Sequence, residues 1–309
     1  MFPLIPIEQR VRMLAKPSGP IDVVLDTDTY NEVDDQYALA YLIRSTDRLN
    51  LLAIHAAPFL NQRSSSPGEG MHRSYGEIRK VLTLMGREDL LPLARRGSEQ
   101  FLADEETPVS SDAVENLVRL ARGHTAERPL YVVAIGAITN VASALLTAPD
   151  IADRLVLVWL GGHGLHWPDT KEFNLFQDVA AARVVLGCGV PVVMLPCAGV
   201  VSEFRTTGPE LEHHLRGRNP LCDYLVEVTM TQGSEEGHPL TWSRVLWDVT
   251  AVAWLLPGDF MDDYLVPTPI PEYDGHYGSD PTRHLMRYVY RIKRDNLYAD
   301  LFTRLAALE

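Results

Sequence analysis

The chain has 309 residues, 46% hydrophobic and 22% charged, with 28 basic against 41 acidic side chains and a net charge of −13. That balance fits a soluble globular protein and argues against nucleic acid as a partner, because a phosphate backbone needs a basic surface. The first twenty residues carry Glu8, Arg10, Arg12 and Lys16 and no continuous apolar core, so they read as neither signal peptide nor membrane span. Three cysteines, Cys188, Cys197 and Cys222, are odd in number and not closely paired, which points to a reducing, cytoplasmic setting.

The predicted elements alternate strand and helix. Val23 to Asp26 reads as a short buried strand, and Val33 to Ser45 as a helix with Ala38, Leu39, Tyr41, Leu42 and Ile43 on its apolar side. Leu51 to Ala57 is a second strand. The Ser-, Pro- and Gly-rich stretch Arg63 to Glu69 reads as a mobile loop above it. Tyr75 to Met85 reads as helix, and Ser111 is placed to cap a helix over Ala113 to Arg122. Strand Leu130 to Ile135 and helix Ile138 to Leu146 follow. Strand Leu155 to Leu160 ends in Gly161-Gly162. Ala180 to Leu186 is helical and Val192 to Leu195 a strand entered from Pro191.

Continuous Val/Leu/Ile runs imply strands covered on both faces, and repeated strand–helix units imply a mostly parallel sheet. The fold class is therefore α/β, an open, mostly parallel, doubly wound sheet flanked by helices. From about Thr207 the pattern turns mainly helical, clearest over Leu221 to Thr231 and Val245 to Leu256. Pro267 to Pro271 reads as a surface turn and Leu285 to Ile292 as a late strand. No linker and no internal repeat divides residues 1–309.

The chemistry concentrates after the first strand. Asp26-Thr27-Asp28 ends it, and Asp34-Asp35 opens the next helix. Four carboxylates at one strand end are unfavourable unless something positive binds there. Oxygen ligands suit calcium or magnesium. An EF-hand does not fit, since Asn31 and Tyr37 stand where its glycine and glutamate belong. Asp26-Thr27-Asp28 also fits the nucleophile motif of haloacid-dehalogenase-like phosphatases, with Asp26 as nucleophile. Lys171, in a loop-like context, is a poor candidate for the lysine that reading needs. Helix capping by Asp34 and Asp35 is the bland alternative.

Further polar groups sit just beyond strand ends or at helix starts, where open α/β sheets bind ligands. They are Gly136 to Asn140, Glu172-Phe173-Asn174 and Trp247-Asp248. Cys197, also near a strand end, reads as a small buried residue.

Together these motifs resemble the nucleoside hydrolase family of the inosine–uridine N-ribohydrolase type, from about Ile21 to Leu256. The family's opening signature has Asp-Thr-Asp, a Pro-Gly loop and Asp-Asp. Here the loop Thr29 to Val33 is two residues longer and lacks Pro and Gly. The resemblance implies a nucleoside-hydrolase-like domain over 1–309 and calcium-dependent cleavage of ribonucleosides to ribose and base. It implies Asp28 as metal ligand and general base, with Asp35, Asp248 and the Ile135 carbonyl as further calcium ligands. Asp34, Glu172 and Asn174 match ribose-binding positions, with His166 and Asn61 as looser matches. Trp247 stands where some members carry a histidine, and implies aromatic stacking on the base. His238 and Trp242 lie close upstream of it. The implied partner is a small nucleoside substrate, with no nucleic acid and no membrane, in a homodimer or homotetramer. A ribose or nucleoside binder without turnover fits the same residues.

Overall fold

The computed structural model describes residues 2–238 and 241–307, with the side chain of Glu236 left aside. In chain order the elements are α1 (Ile7–Met13), β1 (Ile21–Thr27), α2 (Asp34–Ile43), β2 (Leu49–Ala56), α3 (Pro67–Leu84) and β3 (Ala94–Arg96). Then come α4 (Asp112–Arg122), β4 (Leu130–Ala134), α5 (Thr139–Thr147), β5 (Leu155–Leu160), α6 (Phe173–Gln177), α7 (Val179–Gly187) and β6 (Val192–Leu195). The last third holds β7 (Arg205–Thr206), α8 (Gly208–His214), α9 (Pro220–Glu236), β8 (Arg244–Val245), α10 (Val249–Trp254), β9 (Met261–Pro267), β10 (Ile270–Pro271), β11 (Tyr277–Gly278), β12 (Leu285–Ile292) and α11 (Arg294–Ala306).

Eight strands form one sheet in the order β3-β2-β1-β4-β5-β6-β12-β9. All neighbours run parallel except β9, which pairs antiparallel with β12 at the edge. The alternation of side chains along the strands explains the continuous apolar runs. Val23 and Leu25, Val133 and Ile135, and Val158 and Leu160 enter one core, packed with α2, α3, α9, α10 and α11. Val24, Val132, Ala134, Leu157 and Trp159 enter the other, packed with α4, α5 and α7. Every residue of α2 is buried, which follows from its near-continuous apolar sequence after Asp34-Asp35.

The chain leaves β1 outward to β2 and β3, then returns to lay β4 on β1's other side. That reversal opens a crevice at the carboxyl ends of β1 and β4, the usual ligand position in such sheets. None of the described helices is long and apolar enough to cross a membrane.

Several expected boundaries are corrected. The stretch expected as the loop Arg63 to Glu69 already contains the start of α3. Ser66 accepts a hydrogen bond from the Glu69 amide, with Pro67 in the first turn, so a Ser-Pro-Gly-Glu sequence works as a cap. Val245 lies in β8, paired with Arg205, so the helix expected from Val245 begins only after Asp248. The chain beyond Thr207 is less helical than expected, because β9 and β12 close the sheet there. The expected turn Pro267 to Pro271 is split between the end of β9 and β10.

His55 on β2 is fully buried. Its Nε2 lies 3.1 Å from Asn116 Oδ1 and its Nδ1 has no hydrogen-bond partner. Burial pulls its pKa down to about 4, against a small upward effect from Asn116. The unfolded chain therefore takes up this proton below about pH 6.5, while the folded chain resists until about pH 4. Stability from this group is complete above that window and is lost as pH falls through it. His55→Gln, neutral throughout, is expected to flatten the loss of stability between pH 6.5 and 4, by on the order of 3 kcal/mol. Denaturant melts at several pH values check this; parallel curves for both proteins would refute it.

Candidate active site

The crevice at the strand ends holds a cavity of about 190 Å3. Its walls come from the loop after β1 (Asp28, Asn31, Glu32), the start of α2 (Asp34, Asp35) and Ile135 after β4. Leu160 and His163 at the end of β5, the segment Lys171 to Asn174, Cys197 after β6, and Trp247-Asp248 before α10 complete them. A larger depression of about 870 Å3 opens at the other end of β1 and β4, lined by Arg12, Lys16, Asp22 and Arg128 among others, and holds none of the motif residues.

The acidic groups converge. Carboxylate oxygens of Asp34, Asp35 and Asp248 lie within 4.8 Å of one another. Asp28, Asp34, Asp35 and Asp248 are 1%, 2%, 1% and 4% exposed, so water screens little of their repulsion. Burial first, then the neighbouring carboxylates, holds Asp28 and Asp248 well above the usual carboxylate range, and Asp35 likewise. Asp34 is pushed up to about 7, by burial and then by Glu32. Few protein groups answer this charge. Thr27 Oγ1 donates to Asp35 Oδ1 at 2.5 Å, and the Asp248 amide donates to Asp34 Oδ2 at 3.3 Å. Asp28 Oδ2 and Asp34 Oδ1 are buried with no hydrogen-bond partner. All-oxygen donors with orphaned lone pairs fit a hard divalent cation.

The opposite wall is built by backbone amides. Glu172 caps α6: Oε1 accepts from the Asn174 amide at 2.9 Å, and Oε2 from Gly162 at 2.7 Å and Leu175 at 2.9 Å. Burial pushes its pKa up, and these amides oppose the rise. Asn174 Nδ2 donates to the carbonyls of Ile135 at 3.2 Å and Leu160 at 3.1 Å, tying the ends of β4 and β5 together. The Ile135 carbonyl expected on the metal is thus also an acceptor for Asn174. Gly136 passes close to Asp28. A Cβ there would stand 3.1 Å from the Asp28 Cγ and 3.1 Å from the Ala57 Cβ.

The sequence-derived candidates divide accordingly. Asp28, Asp34, Asp35, Ile135, Glu172, Asn174, Trp247 and Asp248 are brought together around the cavity. His166 is not; it sits against Gly164 and Gly199, in a shallow depression with Tyr264 and Tyr288. His163, directly after Gly162, lines the cavity instead. Asn61 stands one layer back, its Nδ2 donating to Asn31 Oδ1 at 2.6 Å. Asn31 and Glu32, which sequence reasoning did not single out, are wall residues supplied by the longer loop. His238 is exposed and pairs with Thr241, and Trp242 packs over Gly233, so neither lines the cavity. Asp26 points elsewhere as well: Asn140 Nδ2 donates to its Oδ2 at 2.9 Å, deep beneath the site. That removes the phosphatase nucleophile. Cys197 lines the cavity, and burial with Glu172 beside it keeps its thiol protonated and unreactive.

Gly136→Ala is expected to push the Asp28 carboxylate aside and lower turnover on the order of 100-fold with little loss of thermal stability, since small misplacements of reacting groups are costly. Steady-state kinetics beside a thermal melt check this. A full-activity variant would show that Asp28 needs no such clearance.

Comparison with known proteins bears on the family and the fold. The model of the family described as inosine-uridine preferring nucleoside hydrolase matches residues 23–289. The pyrimidine-specific ribonucleoside hydrolase RihA of Enterobacter sp. (strain 638) is 28% identical over 265 residues, 76% of this chain and 79% of that protein. The plant nucleoside hydrolase PpNRh1 has a similar fold, with a TM-score of 0.71 and 20% identity over 94% of this chain and 100% of that one. A purine-preferring ribonucleoside hydrolase from Gardnerella vaginalis also gives a TM-score of 0.71, at 19% identity over 92% of this chain and 98% of that one.

Proposed function

The chain belongs to the inosine-uridine preferring nucleoside hydrolase family, and from that membership we propose calcium-dependent cleavage of the N-glycosidic bond of ribonucleosides, with Asp28 as general base. The observation that carries the reading is the convergence of Asp34, Asp35 and Asp248 beside Asp28, with buried oxygens of Asp28 and Asp34 lacking any partner. The named relatives differ in base, pyrimidine for RihA and purine for the Gardnerella protein, and only their shared ribonucleoside chemistry is carried over.

In this reading Asp28, Asp35 and Asp248 hold the ion, with the Ile135 carbonyl as a further donor. Bound there, calcium supplies a Lewis-acid centre that makes a water more acidic and offers coordination to vicinal hydroxyls. Asp28 removes a proton from the attacking water. Asp34, Glu172 and Asn174 hold the ribose hydroxyls and fix the sugar for attack at C1′. The sugar develops oxocarbenium character as the bond breaks, and the buried carboxylates stabilise that positive charge. Trp247, half-buried in the wall beside Asp248, stacks on the departing base. Of the residues lining the cavity one, Lys171, is basic, and the proposed sugar contacts are made by carboxylates and an amide. We also propose a homodimer or homotetramer, which light scattering on the purified protein would test.

Nucleoside turnover is expected to vanish after exhaustive chelation and to return with calcium. Activity that survives chelation intact would overturn the metal's role. Calcium should also raise the melting temperature of the wild type and do so much less for Asp248→Asn. Asp28→Asn is expected to cost on the order of 1,000-fold in turnover, as base and ligand are lost together. Near-wild-type rates in that variant would remove Asp28 from the reaction.

A further inference from the structure

We propose that Asn140 is a positioning residue for the reaction: through Asp26 and the end of β2 it sets where the Asp28 carboxylate stands. The inference rests on the hydrolase reading above, in which Asp28 is the base, and adds a residue outside the cavity wall.

Asn140 lies in the first turn of α5 and is fully buried. Its side chain meets a different segment with each of its hydrogen bonds. Oδ1 accepts the Ser98 amide, just past β3, at 2.8 Å. Nδ2 donates to Asp26 Oδ2 on β1 at 2.9 Å and to the Ala56 carbonyl at the end of β2 at 3.2 Å. These neighbours fix which way the amide faces. A backbone N–H can only donate, so the oxygen turns to Ser98 and the N–H groups fall to the two acceptors. An aspartate here would set oxygen against oxygen, and a leucine would leave all three partners unanswered. The chain also makes room for the amide. A Cβ on Gly97 would stand 2.0 Å from the Ala56 oxygen and 2.5 Å from Asn140 Nδ2.

This bracket reaches Asp28 from two sides. On β1, Asn140 is the hydrogen-bond donor to the Asp26 carboxylate, whose Oδ1 has none among the described residues. Asp26 stands two residues before Asp28, and its carbonyl accepts the Ile135 amide at 2.8 Å. On β2, the held Ala56 carbonyl belongs to the peptide that leads into Ala57, whose amide donates to the Thr27 carbonyl at 2.8 Å. Ala57 and Asp28 then flank the same spot over Gly136. Asp28 Oδ2 has no hydrogen-bond partner of its own, so the backbone on either side decides where it stands.

Truncating Asn140 leaves buried acceptors on Asp26 and Ala56 and a buried donor on Ser98 without partners. Such groups relax by moving apart, and a displaced reacting group loses about 100-fold in rate. Asp34, Glu172 and Asn174, which hold the sugar in this reading, have no hydrogen bond to Asn140, so sugar binding is spared.

The test compares steady-state kinetics at saturating calcium for wild type, Asn140→Ala, Asp28→Asn and the double variant, each shown by thermal melt to be folded at the assay temperature. Asn140→Ala is expected to lower kcat about 100-fold with KM changed by less than about 3-fold. In the Asp28→Asn background the same substitution is expected to cost less than about 3-fold, because the group it places is already gone. A purely structural role would lower the melting temperature and cost the same factor in both backgrounds. Asp26→Ala, which removes the partner rather than the amide, is expected to repeat the kcat loss, and it decides the matter if Asn140→Ala does not fold. Full turnover in the folded variants, or equal losses in the two backgrounds, overturns the inference and leaves the hydrolase reading standing. Wild-type turnover by Asp28→Asn itself would remove the base assignment and this inference together.

Discussion

The constraint on which the structure turns is electrostatic. Four carboxylates are held out of water in one crevice, and the protein itself offers them a threonine hydroxyl, one backbone amide and little else. Burial penalises each charge, and each neighbour penalises the next. Such an arrangement persists in a folded protein because the surrounding packing over-determines it and a cation relieves it. The two packed cores supply the first condition. They fix β1 between β2 and β4 and bury α2 on every side, so Asp34 and Asp35 cannot swing to solvent. The second condition makes folding and metal affinity two expressions of the same repulsion.

The sheet's topology explains why residues distant in sequence share this crevice. Parallel strands end at one crest, and the loops leaving β1, β4, β5 and β6 all meet there. Asp28, Ile135, the Gly162 turn and Cys197 are successive strand-end residues in this sense. Asp248 arrives differently, at the start of α10, which packs against α2. That contact brings the last acidic group to the first pair.

Much of this was legible in the sequence. The strand–helix alternation, the two-faced burial of Val and Leu runs and the strand-end position of the acidic motifs follow from side-chain periodicity and composition, and the structure bears out the fold class. What was not legible depended on pairings that periodicity does not encode. β9 carries Asp262 and Asp263 and looked unlike a strand; it lies at the edge, where Trp254 Nε1 and Arg287 satisfy Asp263. α3 begins inside a stretch whose serine, proline and glycine read as loop, although the same residues form a cap. The exchange of His166 for His163, and the entry of Asn31 and Glu32 into the wall, depend on the path of irregular loops. No spacing rule gives the direction of a side chain there.

The two extra residues after Asp28 sit between a strand end and a helix that are each locked by their own core. The loop itself is held from two sides, by Asn61 on Asn31 and by Arg244 on Glu32. A change of length in this loop would therefore move two wall residues together, while Asp34 and Asp35 stay anchored on their buried helix.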